Sequence, residues 1–150
     1  MTSTILYTGN LRTECTHIRS GQTFITDAPV DNNGKGEAFS PTDLAATSLG
    51  ACMITIMGIA ANNHEINIDG TKLEITKHMA TDPRRISGID VHVIMPDHKY
   101  SKKEKKILEA AGRTCPVALS LHPDVHQNII FKWSDRFAPN YYAKYHFIMP

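Results

Sequence analysis

The sequence predicts an α+β protein built on one hydrophobic core, and three observations predict it. Short strand-like stretches open the chain, an apolar stretch of helical length fills residues 41–63, and alternating strands, an amphipathic helix and a last strand follow. The chain has 150 residues, 41% hydrophobic and 21% charged. A chain of that size is an ordinary single domain able to bury roughly 70% of its unfolded surface. One domain over residues 1–133 is therefore expected, with the aromatic, unpatterned residues 134–150 set apart as a tail.

Residues 4–11 read as a strand, and residues 16–18 and 22–26 as a hairpin turning at Ser20 and Gly21. From Ala28 to Ser40 the chain collects Pro, Asn and Gly, residues that favour turns and positive φ, so a loop is expected there. Ser40 and Pro41 mark a helix start, because serine caps free backbone N–H groups and proline at the first helical position forfeits no hydrogen bond. The helix that follows is apolar around nearly its whole circumference, which predicts burial on most sides.

Leu73, Ile75 and Met79, and then Ile89, Val91 and Val93, alternate with polar residues as strands with one buried face, joined across residues 83–88. In residues 101–113 a polar first half precedes Ile107, Leu108, Ala110 and Ala111, an amphipathic helix expected to stop at Gly112. Pro116 suits the first turn of another helix and puts Cys115 at its cap. Residues 128–133 read as the closing strand.

Sixteen Lys and Arg against fifteen Asp and Glu leave a formal charge of +1. The one basic run, Lys102, Lys103, Lys105 and Lys106, reads as a solvated helix face, so no nucleic-acid footprint is expected. No signal peptide and no membrane span are expected: Thr, Ser, Asn and Gly interrupt the apolar helix, and basic anchors do not flank it. Three cysteines, an odd number in a chain large enough to fold without staples, point to a reducing, cytoplasmic setting.

Cysteines that persist in such a setting are buried, metal-bound or reactive. Metal binding fits poorly, because no Cys-x-x-Cys pair exists and Pro123 separates His122 from His126. Cys52 sits in the middle of the apolar helix beside Gly50 and Ala51; it is either an inert packing residue or a thiol whose small neighbours let another segment approach. Cys115, at a helix start, is either a plain cap or a thiol whose pKa the backbone N–H groups lower, which makes it a good nucleophile or leaving group. Cys15 reads as a bystander.

Taken together, FSPTDLAATSLGACMITIMGIAA at residues 39–61 and CPVALSLHPDV at residues 115–125 resemble the OsmC/Ohr family of thiol-dependent hydroperoxide reductases, most closely its YhfA-like branch. The resemblance runs from the opening hairpin to Trp133. It implies antiparallel sheets wrapped around two central helices in an intertwined homodimer, with active sites at the subunit interface. It also implies that Cys52 attacks the peroxide, that Cys115 resolves the sulfenic acid as a disulfide, and that a dithiol reductant restores the pair. Resolution matters, since an unresolved sulfenic acid oxidises further.

The family's catalytic arginine precedes the turn of the N-terminal hairpin, which makes Arg19 the candidate. Many members carry a glutamate ten positions before the first cysteine, where this chain has Thr42; Asp43 or Glu37 are the expected substitutes, as carboxylate partners of Arg19. The apolar helix walls point to organic rather than inorganic hydroperoxides. No metal or organic cofactor is expected. The competing functions are a redox-sensing or small-ligand-binding protein of this fold with little turnover, and a thiol hydrolase using Cys115.

Overall fold

Turn conformation decides the first sheet. Gly9, Asn10 and Leu11 have φ of 93°, 53° and 61°, so the chain reverses at a point where the sequence suggests a continuing strand. Gly9 and Asn10 suit the left-handed region, which is uncommon for the leucine that follows them. The computed structural model describes residues 1–134. Its first sheet is β1 (Ser3–Gly9), β2 (Arg12–His17) and β3 (Thr23–Asp27), antiparallel and in that order. Ile5 lies opposite Cys15, and Cys15 opposite Phe24. The expected hairpin at Ser20 and Gly21 is thus the second of two.

Ser40 caps α1 (Pro41–Asn63) as expected, and more tightly than a simple cap. Its side chain accepts from the Asp43 N–H, and the Asp43 carboxylate accepts from the Ser40 N–H, a capping box. By length and composition α1 could cross a membrane. In the fold it supplies Ala46, Leu49, Gly50, Met53, Met57 and Ala61 to the interior.

The second sheet contains β4 (Lys72–Thr81), β5 (Arg84–Ile94) and β6 (His126–Lys132). Two expectations need correction here. Residues 84–88 belong to β5, pairing back onto residues 78–81, and do not form a connection; Arg84 and Arg85 are exposed, so this end shows no apolar alternation. The sheet is also not wholly antiparallel, because β6 runs parallel to β5, with Gly88 opposite His126 and Ile94 opposite Lys132. A parallel return needs a crossover, which α2 (Lys102–Arg113) and α3 (Pro116–Ser120) provide. Gly112 does not stop α2. It lies inside the helix, where a Cβ would stand 3.2 Å from the Met57 sulfur, so its role is close packing of α2 on α1.

The core is α1 against the inner face of the second sheet (Ile89, Val91, Val93), closed by Leu108 of α2 and by Cys115 and Ala118 at α3. Burying each large aliphatic side chain contributes roughly 1.5–3 kcal/mol. The first sheet takes almost no part. Ile5, Tyr7 and Phe24, all on one face by strand alternation, are 68%, 62% and 50% exposed. A second face is also open: along α1, Ser48, Ala51, Thr55 and Ile59 face away from the core. The expected tail at 134–150, apart from Ser134, lies outside the described residues.

Candidate active site

The middle of α1 and the start of α3 meet at two thiols. Cys52, half-buried, packs against the core from the flank of α1, and Cys115 is fully buried at the N-cap of α3. Both are free thiols, and the Cys52 sulfur is a direct side-chain neighbour of Cys115. On the β4 side of the helix a Cβ at Gly50 would come within 2.6 Å of the Ile75 Cδ1 atom, so glycine there lets α1 lie close to β4. Gln127 ties α3 to β6 through a 2.9 Å bond from Nε2 to the Ala118 carbonyl.

The electrostatics of Cys115 correct the expectation drawn from its cap position. Burial pushes its thiol up from the ordinary value, and the Cys52 side chain raises it further; the N–H groups of Ala118 and Val117 work in the opposite direction but do not prevail. The Ala118 N–H donates to the sulfur at 3.4 Å. A five-residue helix has little dipole to add, whereas the loss of water around a thiolate is complete at a site with 0% exposure. Cys115 is therefore held as a neutral thiol at neutral pH. Limited iodoacetamide labelling at pH 7 to 8 is expected to modify Cys52 well before Cys115. Labelling of Cys115 should gain only as pH rises beyond the normal thiol range, and peptide mapping over a pH series measures both.

Arg19 lies in the turn between β2 and β3, exposed, with no ion pair or side-chain hydrogen bond among the described residues. The two carboxylates expected to orient it are engaged elsewhere. Glu37 accepts from Arg12 Nη2 at 3.0 Å. Asp43, besides closing the capping box, accepts from Lys77 Nζ at 2.7 Å, and the same ammonium donates to Thr42 Oγ1 at 2.8 Å. Asp43 and Cys52 are nine residues apart on α1, half a turn out of phase, so the Lys77 cluster sits on the opposite side of the helix from the thiol.

Two residues central to this region escape sequence reasoning. Arg12 grips the buried Asp27 through Nε and Nη2 at 2.7 and 2.8 Å, and the Glu37 N–H donates to the same carboxylate. Arg12 is the largest influence holding the Asp27 carboxyl below its usual range. Lys77 is the other, a strand residue only 17% exposed at its side chain. Neither has a local motif, since each partner is 15 or more positions away. Among the described residues no group of His, Cys, Asp and Glu is arranged to hold a metal ion.

The OsmC-like protein family model matches residues 34–129, which include both cysteines. Among solved structures, the chain is similar to a Psychrobacter arcticus 273-4 protein whose name ties it to osmotic stress and detoxification: 52% identity over 88% of this chain and 96% of that one, TM-score 0.84. An organic hydroperoxide resistance protein OsmC from Legionella pneumophila shares the fold at 17% identity and TM-score 0.70, covering 88% of this chain and 97% of that one. So does an organic hydroperoxide resistance protein from Elizabethkingia anophelis, at 14% identity, TM-score 0.70, and 89% and 97% coverage. A search of curated proteins gave no match.

Proposed function

The chain belongs to the OsmC-like protein family, and on that premise we propose that it is a homodimeric, cytoplasmic thiol peroxidase that reduces organic hydroperoxides. The observation that carries this reading is the pairing of a half-buried Cys52 with a fully buried Cys115 as neighbouring free thiols. The accessible sulfur meets the oxidant and the hidden one waits beside it.

In the first step the Cys52 thiolate attacks one peroxide oxygen and the O–O bond breaks. Cys52 becomes a sulfenic acid, and the alkoxide leaves with a proton as the alcohol. In the second, the Cys115 sulfur, losing its proton, attacks the Cys52 sulfur and water departs. The disulfide then takes two electrons from an external dithiol. Apolar neighbours in the same part of the core, Ile56, Val117 and Leu121, support an alkyl rather than a hydrogen hydroperoxide.

The dimer is supported by two uncovered faces, the apolar side of the first sheet and the outer side of α1. Laying each sheet over the partner's helix would bury both and carry Arg19, free at its hairpin tip, toward the thiol pair of the partner subunit. There it would hold the thiolate and polarise the peroxide. The three unpaired cysteines accord with a reducing compartment.

One equivalent of cumene hydroperoxide is expected to remove two free thiols per chain and to link Cys52 to Cys115, read by intact mass and peptide mapping. Stable sulfenic or sulfinic acid at Cys52 with Cys115 still free would sink the two-cysteine scheme. A second reading, redox sensing with little turnover, is favoured by one observation. The position ten before Cys52 is Thr42, bonded to Lys77, while Asp43 and Glu37 already serve other cations, so the chain offers Arg19 no spare carboxylate there. Oxidation that goes to completion once and then fails to cycle with dithiol would select it.

A further inference from the structure

The two cysteines differ in access: Cys52 is partly exposed and Cys115 is buried. Cys115 is at 0% exposure within the cluster formed by Leu49, Met53, Met57, Leu108 and Ala118. Cys52 lies on the flank of α1 next to exposed Ser48, Ala51 and Thr55. A partner subunit can remove exposure but cannot add it, so the inaccessibility of Cys115 holds in any assembly. Cys52 must stay reachable in that assembly if a hydroperoxide is to reach it.

Resting on the two-cysteine reading above, we infer that an external thiol reduces the Cys52–Cys115 disulfide by attacking the Cys52 sulfur, with Cys115 as the leaving group. Displacement at a disulfide sulfur depends on which sulfur the incoming thiolate can reach as well as on how well the other leaves. The incoming thiol loses its proton and forms a bond to the Cys52 sulfur. The Cys52–Cys115 bond breaks, and Cys115 departs with the electron pair and takes up a proton. A second thiol equivalent then attacks the external sulfur of the mixed disulfide and frees Cys52, so two thiols become one disulfide while both cysteines are reduced.

The site has a donor ready for the departing sulfur. The Ala118 N–H points at Cys115 from 3.4 Å, and the short helix that follows keeps it there. Burial opposes charge on Cys115, which slows its expulsion without redirecting the attack, because the alternative target cannot be touched from solvent. The reductant therefore recognises the surroundings of Cys52, and Cys115 never carries a mixed disulfide during turnover.

The test uses the full chain oxidised in two ways, by cumene hydroperoxide and by diamide, so that formation of the disulfide does not depend on peroxide chemistry. Brief exposure to excess glutathione, acid quenching, alkylation and peptide mapping follow. The expected result is glutathione on Cys52 with alkylated Cys115, in at least about ten-fold excess over the reverse. Glutathione on Cys115, comparable adducts on both, or reduction that leaves no adduct on Cys52 would overturn the inference. A disulfide obtained with diamide but not with hydroperoxide would remove the peroxidase reading alone.

Discussion

Cys52→Ser is expected to lower dithiol-dependent turnover of cumene hydroperoxide by at least about 1,000-fold, because removing the attacking atom leaves only the weak catalysis of the surrounding site. Cys115→Ser should fail differently. Its first oxidation should proceed at close to the parent rate, since Cys52 is unchanged, but no disulfide can form. The sulfenic acid then persists into the next encounter with peroxide and moves on to sulfinic acid, so turnover decays with each cycle. A steady-state assay coupled to reductant consumption, with mass spectrometry of the thiols, separates the two outcomes. If Cys52→Ser retained more than a tenth of the parent activity, the mechanism proposed for this fold would be untenable. Esterase or amidase activity lost on replacing Cys115 but not Cys52 would point to a thiol hydrolase.

Arg19→Met is expected to lower kcat/KM about 100-fold, or about 2.7 kcal/mol at 1.36 kcal/mol per decade, the scale of one preorganised donor to a developing charge. Its melting temperature should match the parent, since Arg19 makes no ion pair or side-chain hydrogen bond among the described residues. Arg19→Lys should recover only part of the loss, because an ammonium lacks the planar fork that spans two acceptors. Arg12→Met is the informative contrast. It strips the partner from buried Asp27, so it should lower thermal stability while Cys52 oxidation remains intact. The sign with pH follows from the depressed Asp27 carboxyl. The pair's stabilisation is present above the unfolded carboxylate range, around pH 4, and disappears as pH falls through the folded value, so parent and variant should converge in acid. Equal melting temperatures for Arg12→Met and parent at neutral pH would show that the Arg12–Asp27–Glu37 cluster does not hold the 28–37 loop.

Much of the site is legible because its determinants are local. Ser40 followed by Pro41 announces the start of α1, since a serine cap and a proline at the first helical position both act within one turn. Pro116 places Cys115 at the cap of α3 for the same reason. Legibility fails where a side chain has a choice of distant partners. Glu37 is close in sequence to nothing that explains its bond to Arg12, 25 positions away. Asp43 is readable as a free carboxylate until Lys77 arrives from β4. Leu11 takes a conformation that its own chemistry disfavours, because the turn it closes positions Arg12 opposite Asp27.

The order of the elements, the bounds of α1, and the placement of one cysteine inside that helix and another at the start of α3 can all be read from the chain alone. Periodicity, capping and proline geometry act within a turn or two of the chain and do not need to know the fold. Three features emerge only with folding: β6 returns parallel to β5, Arg12 and Lys77 occupy the carboxylates expected for Arg19, and burial raises the Cys115 thiol where its cap position alone suggests the reverse. The first depends on the crossover through α2 and α3, and the other two on charge or desolvation at a few ångströms between segments far apart in sequence, so all three exist only once the chain has folded.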